Sequence, residues 1–103
     1  MDALFTALAD PTRRSVLDRL RAGGPMTLTA LAAPMPMTRQ AVTKHVDALA
    51  AAGLVTVKRV GRERVHELRP QPLEQVEDWL RPYAEFWDRR LEALRAHLED
   101  DDR

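Results

Sequence analysis

The sequence predicts a mainly α-helical fold with one β-hairpin past its midpoint, and three observations predict it. Apolar residues recur at intervals of three and four, as in Val42, Val46 and Leu49, the spacing that lines one side of an α-helix. Two β-prone runs, Val55 to Val60 and Arg64 to Leu68, flank Gly61-Arg62-Glu63, which is a hairpin pattern. Proline and glycine punctuate the remaining chain into short helical pieces.

Met1 to Ala9 reads as a short helix with Leu4, Phe5 and Leu8 on one side. Asp10-Pro11 restarts the helix, because Asp is a good N-cap and Pro fits the first helical position. The second helix presents Val16, Leu17 and Leu20 and stops at Gly23-Gly24-Pro25. Thr27 caps a brief third helix holding Leu28, Leu31 and Ala32. Pro34-Met35-Pro36 forms a tight connector, since proline disfavours helix at the residue before it. Thr38 caps the fourth helix, whose core stripe is Val42, Val46 and Leu49, and Gly53 ends it.

After the hairpin, Pro70 and Pro72 lead into a last helical region. Its stripe runs through Leu73, Val76, Trp79 and Leu80, then Tyr83, Phe86 and Trp87, then Leu91, Leu94 and Leu98, ending near Glu99. Pro82 is expected to kink or interrupt this helix. Asp100 to Arg103 are expected to fray. A short proline-containing turn between two helices, with a ribbon directly after the second, is the order of a winged helix-turn-helix. The expected layout is one domain over 1–103, with the helix-turn-helix at 27–52, the wing at 54–69, and additional helices at 1–9 and 73–99.

A length of 103 residues suits one domain, and 45% hydrophobic residues can build a small core. With no cysteine there is no disulfide, thiolate metal site or cysteine nucleophile. No apolar run reaches the roughly 18 residues of a membrane span. The N-terminal stretch has no basic leader before an apolar run, so no signal peptide is expected, and the expected location is the cytoplasm. The net charge is zero but unevenly spread: +1 over residues 1–35, +4 over 36–69 and −5 over 70–103. Attraction to phosphate depends on the local patch, so the central third points to nucleic acid and the acidic last third does not.

The candidate DNA-reading residues lie in that central third. Thr38, Arg39, Gln40, Thr43, Lys44 and His45 occupy the first two turns of the fourth helix. Arg39, Gln40, Thr43 and Lys44 fall opposite its apolar stripe. Arg pairs with guanine and Gln with adenine in the major groove, while Thr and Lys suit methyl or phosphate contacts. His45 projects beside Val42 and Leu49, so it reads equally as a hydrogen-bonded core residue and as a phosphate contact. In the hairpin, Arg62 sits at the tip, where a narrow protrusion can enter a minor groove. Lys58, Arg59 and Arg64 lie along the ribbon and suit the DNA backbone; the plain alternative is a solvated hairpin whose charges discourage edge pairing. Arg13 and Arg14 start the second helix, where a cation is unfavourable; they suit phosphate contact or simple surface charge.

Four of the five aromatic residues, Trp79, Tyr83, Phe86 and Trp87, cluster on one side of the last helix. They read as a dimer core of large side chains, or as part of an apolar effector pocket. No catalytic constellation stands out. Ser15 is the sole serine and lacks an elbow motif, and there is neither a Gly-rich phosphate loop nor a set of paired metal ligands. The chain is therefore expected not to be an enzyme and to need no cofactor or metal.

Taken together, LADPTRRSVLDRL, LTALAAPMPMTRQAVTKHVDALAAAGLVTVKRVGRE and the tail EDWLRPYAEFWDRRLEALRAHLED resemble the ArsR-type bacterial transcriptional repressors. The AGLV segment and the Gly-Arg wing tip match in order and spacing. The tail is similar to that of a cysteine-free subgroup ending in W-x6-FW-x3-L-x2-L. The resemblance covers nearly the whole chain. It implies a homodimer formed mainly by the first and last helices, with Leu4, Phe5, Leu8, Trp79, Tyr83, Phe86, Trp87, Leu91 and Leu94 at the dimer interface or an effector pocket. It further implies binding to a double-stranded operator and release by an effector, here a possible small apolar molecule. Metal-sensing relatives use a cysteine motif in the recognition helix or Asp and His ligands in the last helix. This chain has no cysteine, and its histidines are His45, His66 and His97, without the paired spacing. The readings left beside a non-metal repressor are a metal-responsive repressor and a winged-helix protein-interaction module that does not bind DNA.

Overall fold

The computed structural model describes residues 2–101; Met1 of the first expected helix, and Asp102 and Arg103 of the expected frayed tail, lie outside the described residues. The elements run α1 (Asp2–Ala9), α2 (Pro11–Gly23), β1 (Met26–Thr27), α3 (Leu28–Ala32), α4 (Arg39–Ala51), β2 (Val55–Val60), β3 (Glu63–Leu68) and α5 (Leu73–Asp101). They form two compact units, divided between Leu73 and Glu74.

In the first unit, local chemistry sets the helix ends. Asp10 accepts from the backbone N–H groups of Thr12 at 2.8 Å and Arg13 at 3.2 Å, an N-cap for α2 with Pro11 at the first helical position. The Arg13 backbone N–H, helped by that of Thr12 and by the nearby positive charges of His45 and Arg13, holds the Asp10 carboxyl below the usual aspartate range. Gly24 stops α2 at φ 76°. Gly53 ends α4 at φ 79°: its N–H reaches Ala50 O, and the Leu54 N–H reaches Leu49 O, each at 3.0 Å. That pair of bonds is a Schellman closure.

Arginines finish two other helices. Arg14 donates to the Leu8 and Ala9 carbonyls at 2.7 and 3.2 Å, and Arg13 to the Thr6 carbonyl at 3.5 Å. Cations that looked misplaced at the start of α2 therefore satisfy the orphan carbonyls at the end of α1. Arg19 does the same for α3, donating to the Ala30 and Leu31 carbonyls.

The sheet is antiparallel in the order β1-β3-β2. The third strand is a departure from the expected two-stranded ribbon: Met26 and Thr27 pair with His66 and Val65. Two residues are too few to show alternation, so only the partner strand specifies them. Glu63 also joins β3 and pairs with Val60, leaving Gly61-Arg62 as the turn. Gly61 has φ 62° and, among the described residues, no non-glycine residue has positive φ, the pattern of a II′ hairpin.

The core of this unit draws on Leu4 and Ala7, Val16, Leu17 and Leu20, Leu31, then Val42, Val46 and Leu49, closed by Leu54 and Val55. Leu4 departs from its expected partner-facing role. It is 4% exposed and already used inside its own chain, whereas Phe5 and Leu8 are half-buried. His66, which no sequence pattern singled out, is also buried, with its Nδ1 3.3 Å from the Met26 carbonyl oxygen. It ties β1 to β3.

In the second unit, α5 is continuous through Pro82 and reaches Asp101. The expected interruption is absent, as is fraying at Asp100 and Asp101. Pro82 removes one backbone donor, a local loss within 29 helical residues. Trp79 and Tyr83 pack at a tilt of 48° with ring centroids 5.3 Å apart, Phe86 and Trp87 meet edge-on at 6.2 Å, and the Arg90 guanidinium lies 4.5 Å from the Phe86 ring centre. Arg81 and Asp78 pair at 2.8 Å on the exposed surface. Among the described residues no helix is long and apolar enough to cross a membrane.

Candidate nucleic-acid interface

The helix α4 has two chemically distinct sides. Val42, Val46 and Leu49 are fully buried, which fixes the helix against the core. Arg39, Gln40 and Lys44 are therefore left on the exposed side, with Thr43 partly covered. The Thr38 hydroxyl accepts from the Ala41 N–H at 3.1 Å, so this residue is the N-cap. The Thr43 hydroxyl donates to the Arg39 carbonyl at 3.0 Å.

His45 lies between the two sides. It is half-buried, and its Nδ1 accepts from the Arg13 Nε–H at 3.4 Å. Arginine can only donate, so the imidazole Nδ1 is the acceptor. It links α4 to α2.

In the wing, register divides the basic residues. Val55 pairs with Leu68, Val57 with His66 and Arg59 with Arg64, and these pairs share one face. That is the face buried nearer the core, through Val55 and His66. Lys58, opposite Val65, lies on the other face. The four cations do not act as one stripe: Arg59 and Arg64 extend the inner face, Lys58 the outer, and Arg62 holds the turn. Arg59 directly opposite Arg64 is a like-charge pair, which costs stability in a sheet.

The helix and the wing meet across a cleft of about 350 Å³. It is lined by Thr27, Leu28 and Thr29, by Arg39 of α4, and by Arg62, Glu63 and Arg64 of the wing. Arg39 Nη2 donates to the Thr29 hydroxyl at 2.9 Å. No sequence signal marks Thr29 as part of this site, because it precedes Arg39 by ten residues and belongs to another helix. Among the described residues no group of three or more His, Asp or Glu side chains could hold a metal ion.

A helix-turn-helix domain family matches residues 8–58. An uncharacterised HTH-type transcriptional regulator of Bacillus subtilis, YuzN, is 42% identical over 81 residues, covering 73% of this chain and 88% of that protein. The crystal structure of an ArsR family transcriptional regulator superposes with a TM-score of 0.75 at 39% identity, covering 84% of this chain and 89% of that one. The chain belongs to the ArsR family. Among its relatives is the transcriptional repressor SdpR of Bacillus subtilis, 29% identical over 91 residues, covering 88% of this chain and all of that protein. This member of the family is thus a winged helix-turn-helix transcriptional regulator with a DNA-binding domain.

Proposed function

We propose that this ArsR-family regulator is a homodimeric repressor that holds a palindromic DNA operator and releases it to a non-metal effector. The observation that carries the reading is the convergence of two cationic elements on one cleft: Arg39 of α4 faces Arg62 and Arg64 of the wing. Gln40, Thr43 and Lys44 read base edges in the major groove, and Arg62 approaches the adjacent minor groove. Thr38, Lys58 and Arg59 serve the phosphate backbone. We assign His45 to the contact with α2 rather than to DNA, on its bond to Arg13. Nothing in this reading calls for catalysis, and it places the protein in the bacterial cytoplasm, with the DNA.

The dimer reading rests on α5. Leu80, Tyr83, Trp87, Leu91, Leu94 and Leu98 repeat at three and four residues and are all 45–61% exposed, an apolar stripe that a second copy would cover. Trp79 and Phe86 extend this α5 surface, and Phe5 and Leu8 of α1 are assigned to self-association or to an effector. Repression is supported by SdpR.

The test is anisotropy titration of a duplex from the chain's own upstream region, from 50 to 200 mM salt. DNA binding through phosphates makes log K fall linearly and steeply with log salt. Lys44→Ala weakens binding without lowering the melting temperature. A protein-interaction module would give salt-insensitive, negligible binding.

A further inference from the structure

The geometry points to a seat for one DNA phosphodiester strand in the cleft between the start of α4 and the wing, with Arg39 and Arg64 as its charged walls and Thr29 as the residue that positions Arg39. The inference rests on the DNA-binding reading above and deepens it. In B-DNA a major groove and the adjacent minor groove are separated by a single sugar–phosphate strand. A protein that places a helix in one and a hairpin tip in the other must straddle that strand. In this chain the space between the two elements is the cleft of about 350 Å³.

Three features of the cleft fit a phosphodiester. Its walls carry three arginines, Arg39, Arg62 and Arg64, against one acidic residue, Glu63. Arg39 is not left to sample solvent: the Thr29 hydroxyl accepts its Nη2 hydrogen at 2.9 Å. One guanidinium edge is thereby occupied, and the remaining N–H groups are available to an oxyanion in a fixed orientation. Arg64 stands directly across the ladder from Arg59. Like charges so placed destabilise the free hairpin, and an anion seated beside them relieves the repulsion. Glu63 also lines the cleft, so the seat keeps a net positive charge of two from its three arginines and one carboxylate.

Arg39 therefore grips backbone, and base reading falls to Gln40, Thr43 and Lys44. Thr29 is a positioning residue: it acts on DNA through Arg39.

The experiment measures full-length protein on its selected operator and on an unrelated duplex, by anisotropy across a salt series. Thr29→Val is expected to weaken both by the same factor, roughly two- to fivefold, and Thr29→Ser to restore wild-type binding. Arg64→Thr is expected to raise the melting temperature of the free protein by about 1–5 °C, while weakening both duplexes and lowering the salt slope by about one per seat. A methylphosphonate at the linkage between the grooves should abolish the difference between Thr29→Val and wild type. The seat is overturned if Thr29→Val changes only operator preference, if Arg64→Thr binds DNA like wild type, or if no single linkage removes the Thr29 effect. Should Thr29→Val fail to fold, Arg64→Thr on the exposed ribbon decides alone. If wild type binds no duplex, the DNA reading itself fails and the seat with it. If wild type binds and only these variants disagree, the seat alone is wrong.

Discussion

Replacing Leu49 with Ala tests the division of α4 into a buried and a reading side. Leu49 is fully buried at 0% exposure. Three carbons leave the core at about 0.8 kcal/mol each, roughly 2.4 kcal/mol of transfer free energy. A residual cavity of about 40 Å³ adds ~1 kcal/mol at ~24 cal/mol per Å³. The expected loss is about 3–4 kcal/mol, a large share of the ~5–15 kcal/mol that holds a small domain together. Urea unfolding followed by circular dichroism measures it: the midpoint falls while the slope with denaturant stays constant. Lys44→Ala, one turn earlier on the exposed side, is the companion and stays within about 0.5 kcal/mol of wild type. A Leu49→Ala loss below about 1 kcal/mol, or a Lys44→Ala loss as large as that of Leu49→Ala, refutes the assignment of the two sides.

The Asp10 cap gives a pH prediction. Its folded carboxyl lies below the usual aspartate range, chiefly through the Arg13 backbone N–H. Its stabilising contribution is therefore fully present above the unfolded value of about 3.9 and is lost as pH falls through the lower folded value. Asp10→Asn keeps an acceptor and removes the titration, so its melting temperature should vary less than that of wild type below pH 4; parallel profiles would contradict the cap. Gly61→Ala tests the wing turn. A Cβ there meets no atom within 4 Å, so the cost comes from the backbone at φ 62° alone, about 1–2 kcal/mol. Thermal melts should record it and duplex titration should show weaker binding, whereas wild-type behaviour in both would contradict the turn.

Much of this architecture was legible because its determinants are local. Asp10, Thr27 and Thr38 announce helix starts, Gly24 and Gly53 announce ends, and the three-and-four spacing of Val42, Val46 and Leu49 names the buried side of α4. What escaped depends on distant partners. The strand Met26–Thr27 exists because His66 and Val65 lie beside it. Arg13, Arg14 and Arg19 find carbonyls of other helices, which no charge pattern reveals. Leu4 matched a partner-facing residue by its spacing, yet its own unit buries it. At Pro82 the expected interruption does not occur, since a long helix tolerates one missing donor. At the interface, sequence identified the cationic residues, but only strand register separates Lys58 from Arg59 and Arg64, and only the fold brings Thr29 to Arg39.

The most direct test of the central claim is selection of binding sites from random duplex DNA by the purified protein, followed by sequencing. The account predicts enrichment of an imperfect palindrome whose half-site centres lie about 10–10.5 base pairs apart, or a multiple of that, with Gln40→Ala relaxing the preference at a few positions in each half-site. No enriched sequence, or an unpaired motif that Gln40→Ala leaves unchanged, would contradict it.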